Sequence, residues 1–155
     1  MMANGKVDFR DLENFRKNLE KSLNQEQIDL FIEACAKELA ARLLAKVIKR
    51  TPVGQYPKGS GKKGGTLRRG WTNGQNQAAH AYANSLKVFH FGDTYVIEII
   101  NPVHYAPYVE YGHRTRNGGW VEGRFMLTIS AQEVQSDAPR VLQNKLKKKL
   151  GEVFR

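Results

Sequence analysis

The sequence predicts an α+β fold in which long helices pack on one face of a small antiparallel β-sheet. Residues 25–50 carry an apolar stripe at helical spacing, and residues 85–101 form two β-rich segments around a Gly-Asp turn. No strand–helix–strand alternation, internal repeat or heptad run occurs. At 155 residues, the chain is expected to fold as a single domain, residues 1–155, with its own core.

Two helices are predicted in the first third of the chain. Residues 8–23 place apolar side chains three or four positions apart behind the expected N-cap Asp8. Residues 25–50 combine an apolar stripe with many alanines, and acidic residues precede basic ones, as the helix dipole favours. This helix would be about 39 Å long, so part of it is expected to contact another subunit.

A long basic loop rich in glycine, residues 53–65, follows the second helix. It offers little apolar surface to bury and is expected to be flexible in the isolated chain. Residues 66–71 are expected to begin a strand, so that the sheet spans about residues 66–101. Residues 74–83 fit either a loop or a short helical insert. The clearest β-structure is a hairpin with Gly92 and Asp93 at its turn.

Helical structure is expected again towards the C-terminus. Residues 104–111 place tyrosines at helical spacing, with Pro107 tolerated in a first turn. A second loop bearing glycine and arginine is expected at residues 112–123, followed by a helical region at residues 123–155. Within that region, Asp137 is expected to cap a new helix that starts at Pro139.

The positive charge of the chain is confined to one stretch. Residues 39–92 contain no Asp or Glu and hold ten of the 25 Lys and Arg residues, so the remaining 15 balance all 15 acidic residues. The formal charge of +10 therefore lies in this window. Such a local field favours an acidic partner. Basic residues scattered over a solvated surface are the alternative.

Sequence signals for catalysis are weak. The chain has no Gly-x-Ser-x-Gly, phosphate-loop or His-Glu-x-x-His motif, and its four histidines include no pair at i, i+4 spacing. We therefore predict no enzyme activity, no metal and no cofactor. The apolar runs are too short for a membrane helix, no secretory signal is visible, and no membrane partner is expected. The lone Cys35 is expected to be a small buried residue.

Glu110 lies within the aromatic segment 104–111, which is expected to be buried or at an interface. A carboxylate in such a place needs a partner, because an unpaired buried charge is costly. The candidate partners are Arg68, Arg69, Arg124 and a residue of a neighbouring subunit. A solvated Glu110 is the alternative.

Four segments together resemble one known family. They are Thr51-Pro52-Val53, Thr66-Leu67-Arg68-Arg69-Gly70-Trp71, Tyr105-Ala106-Pro107-Tyr108-Val109-Glu110-Tyr111-Gly112 and Gly123-Arg124-Phe125-Met126-Leu127. The family comprises small tail-component proteins, also described as neck and tail-completion proteins, of long-tailed bacteriophages and prophages. The resemblance covers about residues 26–129, and its most specific part is the stretch from Tyr105 to Gly112.

The resemblance implies a non-enzymatic virion structural protein that forms a homo-oligomeric ring at the head–tail junction. Its partners would be further copies of itself, adjacent connector or stopper proteins and tail proteins, and genomic DNA in the channel. It would lie in the neck or tail of the virion after assembly in the host cytoplasm. Candidate contacts with DNA or a neighbouring ring are Lys58, Lys62, Lys63, Arg68 and Arg69. Candidate subunit-interface residues are Tyr105, Tyr108, Glu110, Tyr111, Arg124 and Phe125.

The alternative function is a sequence-independent nucleic-acid-binding module. The same basic residues would contact phosphates, which gives salt-sensitive binding without sequence preference. Tyr56 and Trp71 would stack on bases. No known DNA- or RNA-reading motif accompanies them.

Overall fold

The computed structural model of the protein describes residues 3–5, 24–75 and 77–153. The helix predicted at residues 8–23 lies outside these ranges. Within them the fold is α+β, as predicted. The elements in chain order are β1 (Ala3–Gly5), α1 (Gln25–Arg50), α2 (Thr66–Gly70), α3 (Ala79–Ser85), β2 (Phe89–Phe91), β3 (Thr94–Val96), β4 (Ile99–Asn101), α4 (Ala106–Tyr111), β5 (Gly112–Arg114), β6 (Trp120–Glu122) and α5 (Met126–Val153).

The helix α1 begins and ends where the sequence predicts. Asn24 caps it in a capping box: its side chain accepts the Gln27 N–H at 2.9 Å, and the Gln27 side chain accepts the Asn24 N–H at 3.3 Å. Its apolar stripe is buried against α3 and α5 and forms the centre of the core. Cys35 is fully buried there, and burial raises the pKa of its thiol to about 12. The thiol is therefore not a reactive nucleophile.

The β-structure in the described ranges consists of three separate two-stranded antiparallel sheets. The predicted hairpin is confirmed as β2–β3, but β4 leaves it and pairs with β1. Tyr95, Ile97 and Ile99 are all buried, so alternate side chains stay in the core while the pairing partner changes. One sheet spanning residues 66–101 was therefore the wrong expectation.

Residues 66–71 were expected to start a strand, and this prediction is wrong because they contain the helix α2. Helical spacing brings Leu67 and Trp71 to the same face, where both are buried. In a strand these two side chains would also share a face, so alternation alone could not distinguish the two structures. The open question at residues 74–83 resolves into a loop followed by α3.

Two expectations about the C-terminal part are also wrong. Residues 112–123, expected to be a loop, contain the hairpin β5–β6. The helix α5 runs without interruption through Pro139, so Asp137 is not an N-cap. Pro139 has no backbone N–H, so the carbonyl of Gln135 lacks its helical donor. Both residues are exposed, and water can therefore bond to that carbonyl.

Candidate assembly surface

Glu110 is the buried centre of the candidate surface. Its side chain is 1% exposed, and its carboxylate accepts hydrogen bonds from the Leu127 N–H at 2.9 Å, the Thr128 N–H at 2.9 Å and the Thr128 hydroxyl at 2.7 Å. The prediction that an arginine pairs with Glu110 is wrong for the residues that the structure describes, because the donors to its carboxylate belong to Leu127 and Thr128. The alternative, a solvated Glu110, is wrong because the side chain is buried. The partner is the N-terminus of α5.

This carboxylate replaces the cap that α5 lacks locally. Phe125 occupies the N-cap position, where its side chain offers no acceptor, and its φ of 46° lies in the left-handed region. The first N–H groups of a helix need acceptors, and the positive end of the helix dipole favours an anion. Glu110, which belongs to the preceding helix α4, supplies both the hydrogen-bond acceptors and the negative charge. We call Glu110, Leu127 and Thr128 the capping site.

The backbone reinforces the capping site. The Arg124 N–H donates to the Val109 carbonyl at 2.8 Å, and the Phe125 N–H donates to the Glu110 carbonyl at 3.0 Å. A Cβ on Gly123 would overlap the Glu110 carbonyl oxygen, so only glycine allows this approach. Two of the segments that carry the family resemblance, residues 105–112 and 123–127, are thus a single packing unit.

A two-stranded ribbon, residues 112–123, projects from the capping site. Its strands pair Gly112 with Glu122 and Arg114 with Trp120. Its turn is closed by bonds from the Thr115 N–H to the Gly119 carbonyl and from the Gly119 N–H to the Thr115 hydroxyl, each of 2.9 Å. Residues 114–122 are all exposed, so the structure shows an ordered ribbon with solvent on both faces.

Large apolar side chains are exposed on the ribbon and around the capping site. The Tyr111 and Phe125 rings meet edge to face at 6.4 Å, and the Tyr108 and His113 rings at 5.8 Å. Grouped apolar exposure marks an interaction surface, whereas single exposed residues do not. We use the name aromatic surface for the exposed apolar side chains around the capping site and on both faces of the ribbon: Tyr108, Tyr111, Trp120, Val121, Phe125 and Ile129, between 38% and 56% exposed.

Arginines surround the aromatic surface. Arg114, Arg116 and Arg124 are exposed, and none of the three has an ion-pair partner among the residues that the structure describes. Tyrosine, tryptophan and arginine are the residue types enriched where interfaces derive most of their binding energy. The composition of this surface is therefore that of a protein interface.

The structure brings most of the predicted interface residues together. Tyr108, Tyr111, Arg124 and Phe125 are exposed at the surface, Glu110 lies beneath them, and Tyr105 is half-buried against the core. Sequence reasoning missed Trp120, Val121 and Ile129. The available signal was a tryptophan followed by valine within a segment assigned to a loop.

The predicted basic residues lie elsewhere and differ from one another. Lys58, Lys62 and Lys63 are exposed in a connection that contains neither helix nor strand. Arg69 is also exposed. The guanidinium of Arg68 instead donates to the Thr51 carbonyl, from Nε at 3.2 Å and from Nη2 at 2.7 Å, and is partly buried. Arg68 therefore has a structural contact at the edge of the core, whereas the other four side chains are exposed, although Arg69 also donates to the Gly64 carbonyl at 3.4 Å.

Thr51 and Trp71 form a second packing unit. Both are fully buried; the Trp71 indole N–H donates to the Thr51 hydroxyl at 2.8 Å, and that hydroxyl donates to the Val47 carbonyl at 2.6 Å. The prediction that Trp71 stacks on bases is wrong, because no part of the ring reaches solvent. Two further segments of the resemblance, around Thr51 and at residues 66–71, thus have a structural explanation.

An ion-pair group joins α1 to α5 beside this core. Glu133 accepts from Arg50 at 2.7 Å and from Lys46 at 3.1 Å, and these hydrogen bonds hold the pKa of Glu133 below its usual value, Arg50 contributing most.

No group of three or more His, Cys, Asp or Glu side chains suited to a metal occurs in the part of the chain described. None of the helices described is both long and apolar enough to cross a bilayer.

Comparison with known proteins places the chain in a family. The model of the HK97 gp10-like family, described as a bacteriophage tail component, matches residues 13–112. No curated protein and no solved structure matches the chain. The matched range includes α1, the Thr51–Trp71 packing unit and α4 with Glu110. Because it spans well over half of the 155 residues, the chain belongs to the HK97 gp10-like family of bacteriophage tail components.

Proposed function

We propose that the protein is a non-enzymatic ring subunit at the head–tail junction of a tailed bacteriophage, and that its aromatic surface contacts a neighbouring subunit. Membership of a tail-component family makes it a structural protein of the phage virion. The observation that carries the ring proposal is the ordered ribbon with exposed Trp120 and Val121 beside the capping site.

The energetic argument concerns the cost of leaving this surface hydrated. A two-stranded ribbon without a covering layer is marginally stable in water. A tryptophan buries about 200 Å² when it is fully covered, and Trp120 is 55% exposed. Covering the remainder would contribute up to about 3 kcal/mol at 25 cal/mol per Å². Closed rings need a second interface of this kind on each subunit.

The partners follow from this position. They are further copies of the chain, adjacent connector or stopper proteins and tail proteins, with assembly in the host cytoplasm before incorporation into the neck or tail. Lys58, Lys62, Lys63 and Arg69 would face DNA in the channel or a neighbouring ring. We expect residues 53–65 to gain amide protection when the ring forms, as hydrogen exchange would detect.

Sedimentation velocity and negative-stain microscopy of the purified protein, free of nucleic acid, test the ring. We expect closed rings of uniform size. The highest concentration should reach about 1 mM, because a contact worth only about 4 kcal/mol is then half formed. A monomer throughout that range would contradict the ring proposal.

Sequence-independent nucleic-acid binding is the second candidate function, and the exposed lysines of residues 53–65 favour it. A binding module would gain mass only when DNA is added. Replacing Lys58, Lys62 and Lys63 with Gln should lower the slope of log binding constant against log salt by about 3 if all three contact phosphates. An unchanged slope would contradict a DNA contact by these lysines, while Lys147→Gln serves as the exposed basic control.

A further inference from the structure

Two stretches of the chain that are basic and free of acidic residues lie on the helices α1 and α5. Residues 39–50 of α1 contain four Lys or Arg and no Asp or Glu. Residues 138–151 of α5 contain five Lys or Arg and likewise no Asp or Glu. This second stretch lies outside the basic window of residues 39–92. The tertiary structure therefore adds a further source of positive field to the one that the sequence alone indicated.

The packing of α1 on α5 places these two stretches side by side. Arg50 pairs with Glu133 at 2.7 Å near one end of the helix pair. Glu38 and Lys145 line one groove near the other end, so the helices are antiparallel. Two shallow grooves, of about 400 and 330 Å³, follow each other along the seam between the helices. We call the two grooves together the basic seam. Its cations are Arg42, Lys46, Lys49, Arg50, Arg140, Lys145 and Lys148.

Ion pairs occupy only part of this positive charge. The side chains that line the basic seam include seven Lys or Arg and two carboxylates. Glu38 pairs with Arg42 at 3.1 Å. Glu133 pairs with Arg50 at 2.7 Å and with Lys46 at 3.1 Å. Both carboxylates of the lining are therefore already paired, and three of the seven cations are used in pairing them.

The other four cations of the basic seam remain for a ligand. Lys49, Lys145 and Lys148 have no ion-pair partner among the residues that the structure describes. Arg140 meets Asp137 only at 4.0 Å, and such a long, exposed pair neutralises little. Even with Asp137 counted, seven cations face three carboxylates, which leaves an excess of four positive charges.

The basic seam lacks the apolar contacts that a protein partner requires. Val141 is the one apolar side chain that lines it among the described residues, and it is only 4% exposed. Protein interfaces depend on aromatic and other large side chains at their centre and are depleted in lysine. A nucleic-acid backbone needs no apolar contact, because Lys and Arg bind its phosphates and release the condensed counterions. The lining therefore favours phosphates over an acidic protein.

We propose that the basic seam binds the phosphate backbone of duplex DNA without reading its sequence. From Glu38 to Arg50, α1 extends about 18 Å, a length of duplex that carries about ten phosphate charges. Both helices contribute, Lys49 from α1 and Lys145 from α5. The inference rests on the proposed function for the source of the DNA, the phage genome, and assigns that DNA a surface separate from residues 53–65.

Lysine footprinting of the wild-type protein tests the site without any substitution. The protein is acetylated with a limiting amount of reagent, with and without duplex DNA, and the modified positions are identified by mass spectrometry. At a duplex concentration about ten times Kd, a lysine in contact with DNA should react up to about tenfold more slowly. We expect this protection at Lys49, Lys145 and Lys148.

The same experiment contains its own controls. Lys87 and Lys147 are exposed and lie outside both grooves, so they should react equally with and without DNA. Protection confined to the lysines of residues 53–65 would overturn the proposal, because the DNA would then lie on the loop alone. Equal reactivity of every lysine under saturating duplex would overturn it as well.

The salt dependence of binding gives an independent test. Lys49→Gln with Lys145→Gln removes one unpaired cation from each helix and should lower the slope of log binding constant against log salt by about 2. The matched control, Lys87→Gln with Lys147→Gln, removes the same charge from outside the seam and should leave the slope unchanged. All proteins should melt at the same temperature, and equal slopes for the two double variants would overturn the proposal.

Two further outcomes separate this inference from its alternatives. Poly-glutamate should compete weakly with duplex DNA, because its charges are farther apart along the chain and it holds fewer condensed counterions. Competition as strong as that of DNA would assign the seam to an acidic protein and overturn the proposal. Rings that do not bind duplex would refute the basic seam and leave the ring proposal standing. A monomer that binds duplex through the seam would refute the ring alone.

Discussion

Replacing Glu110 with glutamine tests whether this side chain serves as a helix cap. The two side chains have nearly the same shape, so packing changes little. One oxygen of the carboxylate accepts from the Leu127 N–H, and the other accepts both Thr128 donors. An amide keeps one acceptor oxygen and presents N–H groups in place of the other. In Glu110→Gln at least one donor therefore faces another donor inside the protein.

The magnitude follows from burial. A hydrogen bond to a charged group contributes about 1.5–3 kcal/mol, and a buried donor without an acceptor costs a similar amount. A carboxylate at a helix N-terminus adds about 0.3–1 kcal/mol, and up to about 2 in partly buried sites. Because Glu110 is only 1% exposed, water screens little of this. We expect Glu110→Gln to lower the free energy of unfolding by about 2–4 kcal/mol.

Urea and thermal denaturation of the purified protein measure this change. For a domain of this size each kcal/mol lowers Tm by about 2–4 °C, so the expected decrease is about 5–15 °C. Glu98→Gln is the matched control, because Glu98 is an exposed carboxylate outside helices and strands; it should change stability by less than about 0.5 kcal/mol.

A change below about 1 kcal/mol in Glu110→Gln would refute the capping argument, because the buried carboxylate would then contribute no more than a neutral hydrogen bond. Thr128→Val provides a further check. It removes one of the three donors, so a cycle with Glu110→Gln should show coupling between the two sites. Additive effects would mean that the hydroxyl and the carboxylate act independently.

Two further predictions concern the interior and the pH dependence of stability. Thr51→Val keeps the shape of the side chain but leaves the Trp71 indole N–H without an acceptor. The free energy of unfolding measured in urea should therefore fall by about 1–3 kcal/mol. The control Thr66→Val, at an exposed position, should be near neutral, and equal effects of the two substitutions would contradict a stabilising buried hydrogen bond. Arg50 and Lys46 hold the pKa of Glu133 below its unfolded value of about 4.5, so the stability from these ion pairs is present above that pH and is lost as the pH falls through the folded pKa. Between about pH 5 and pH 3, wild type should therefore lose more stability than Glu133→Gln, and parallel curves would contradict the contribution of these pairs.

The sequence by itself determined the elements that depend on neighbouring residues. The apolar stripe and the proline after Thr51 predicted the extent of α1, and the structure adds a capping box at Asn24, which sequence reasoning did not identify. Gly92 and Asp93 form the turn of a real hairpin. Local signals of this kind suffice because a helix cap, a helix stop and a tight turn each need only a few consecutive residues. The family was likewise evident from short segments.

Only the tertiary structure decided how those segments act on one another. The sequence showed that Glu110 needs a partner, but the partner is a backbone terminus 17 positions away, and backbone N–H groups leave no mark in residue identity. The resemblance carried by Thr51 and Trp71 gave no hint that the two meet in a hydrogen bond. Residues 112–123 form a ribbon because glycines at its base let it approach α4, a contact that composition does not encode. Local preference fixes where the chain turns and coils, whereas the matching of buried donors with acceptors depends on which segments fold against each other.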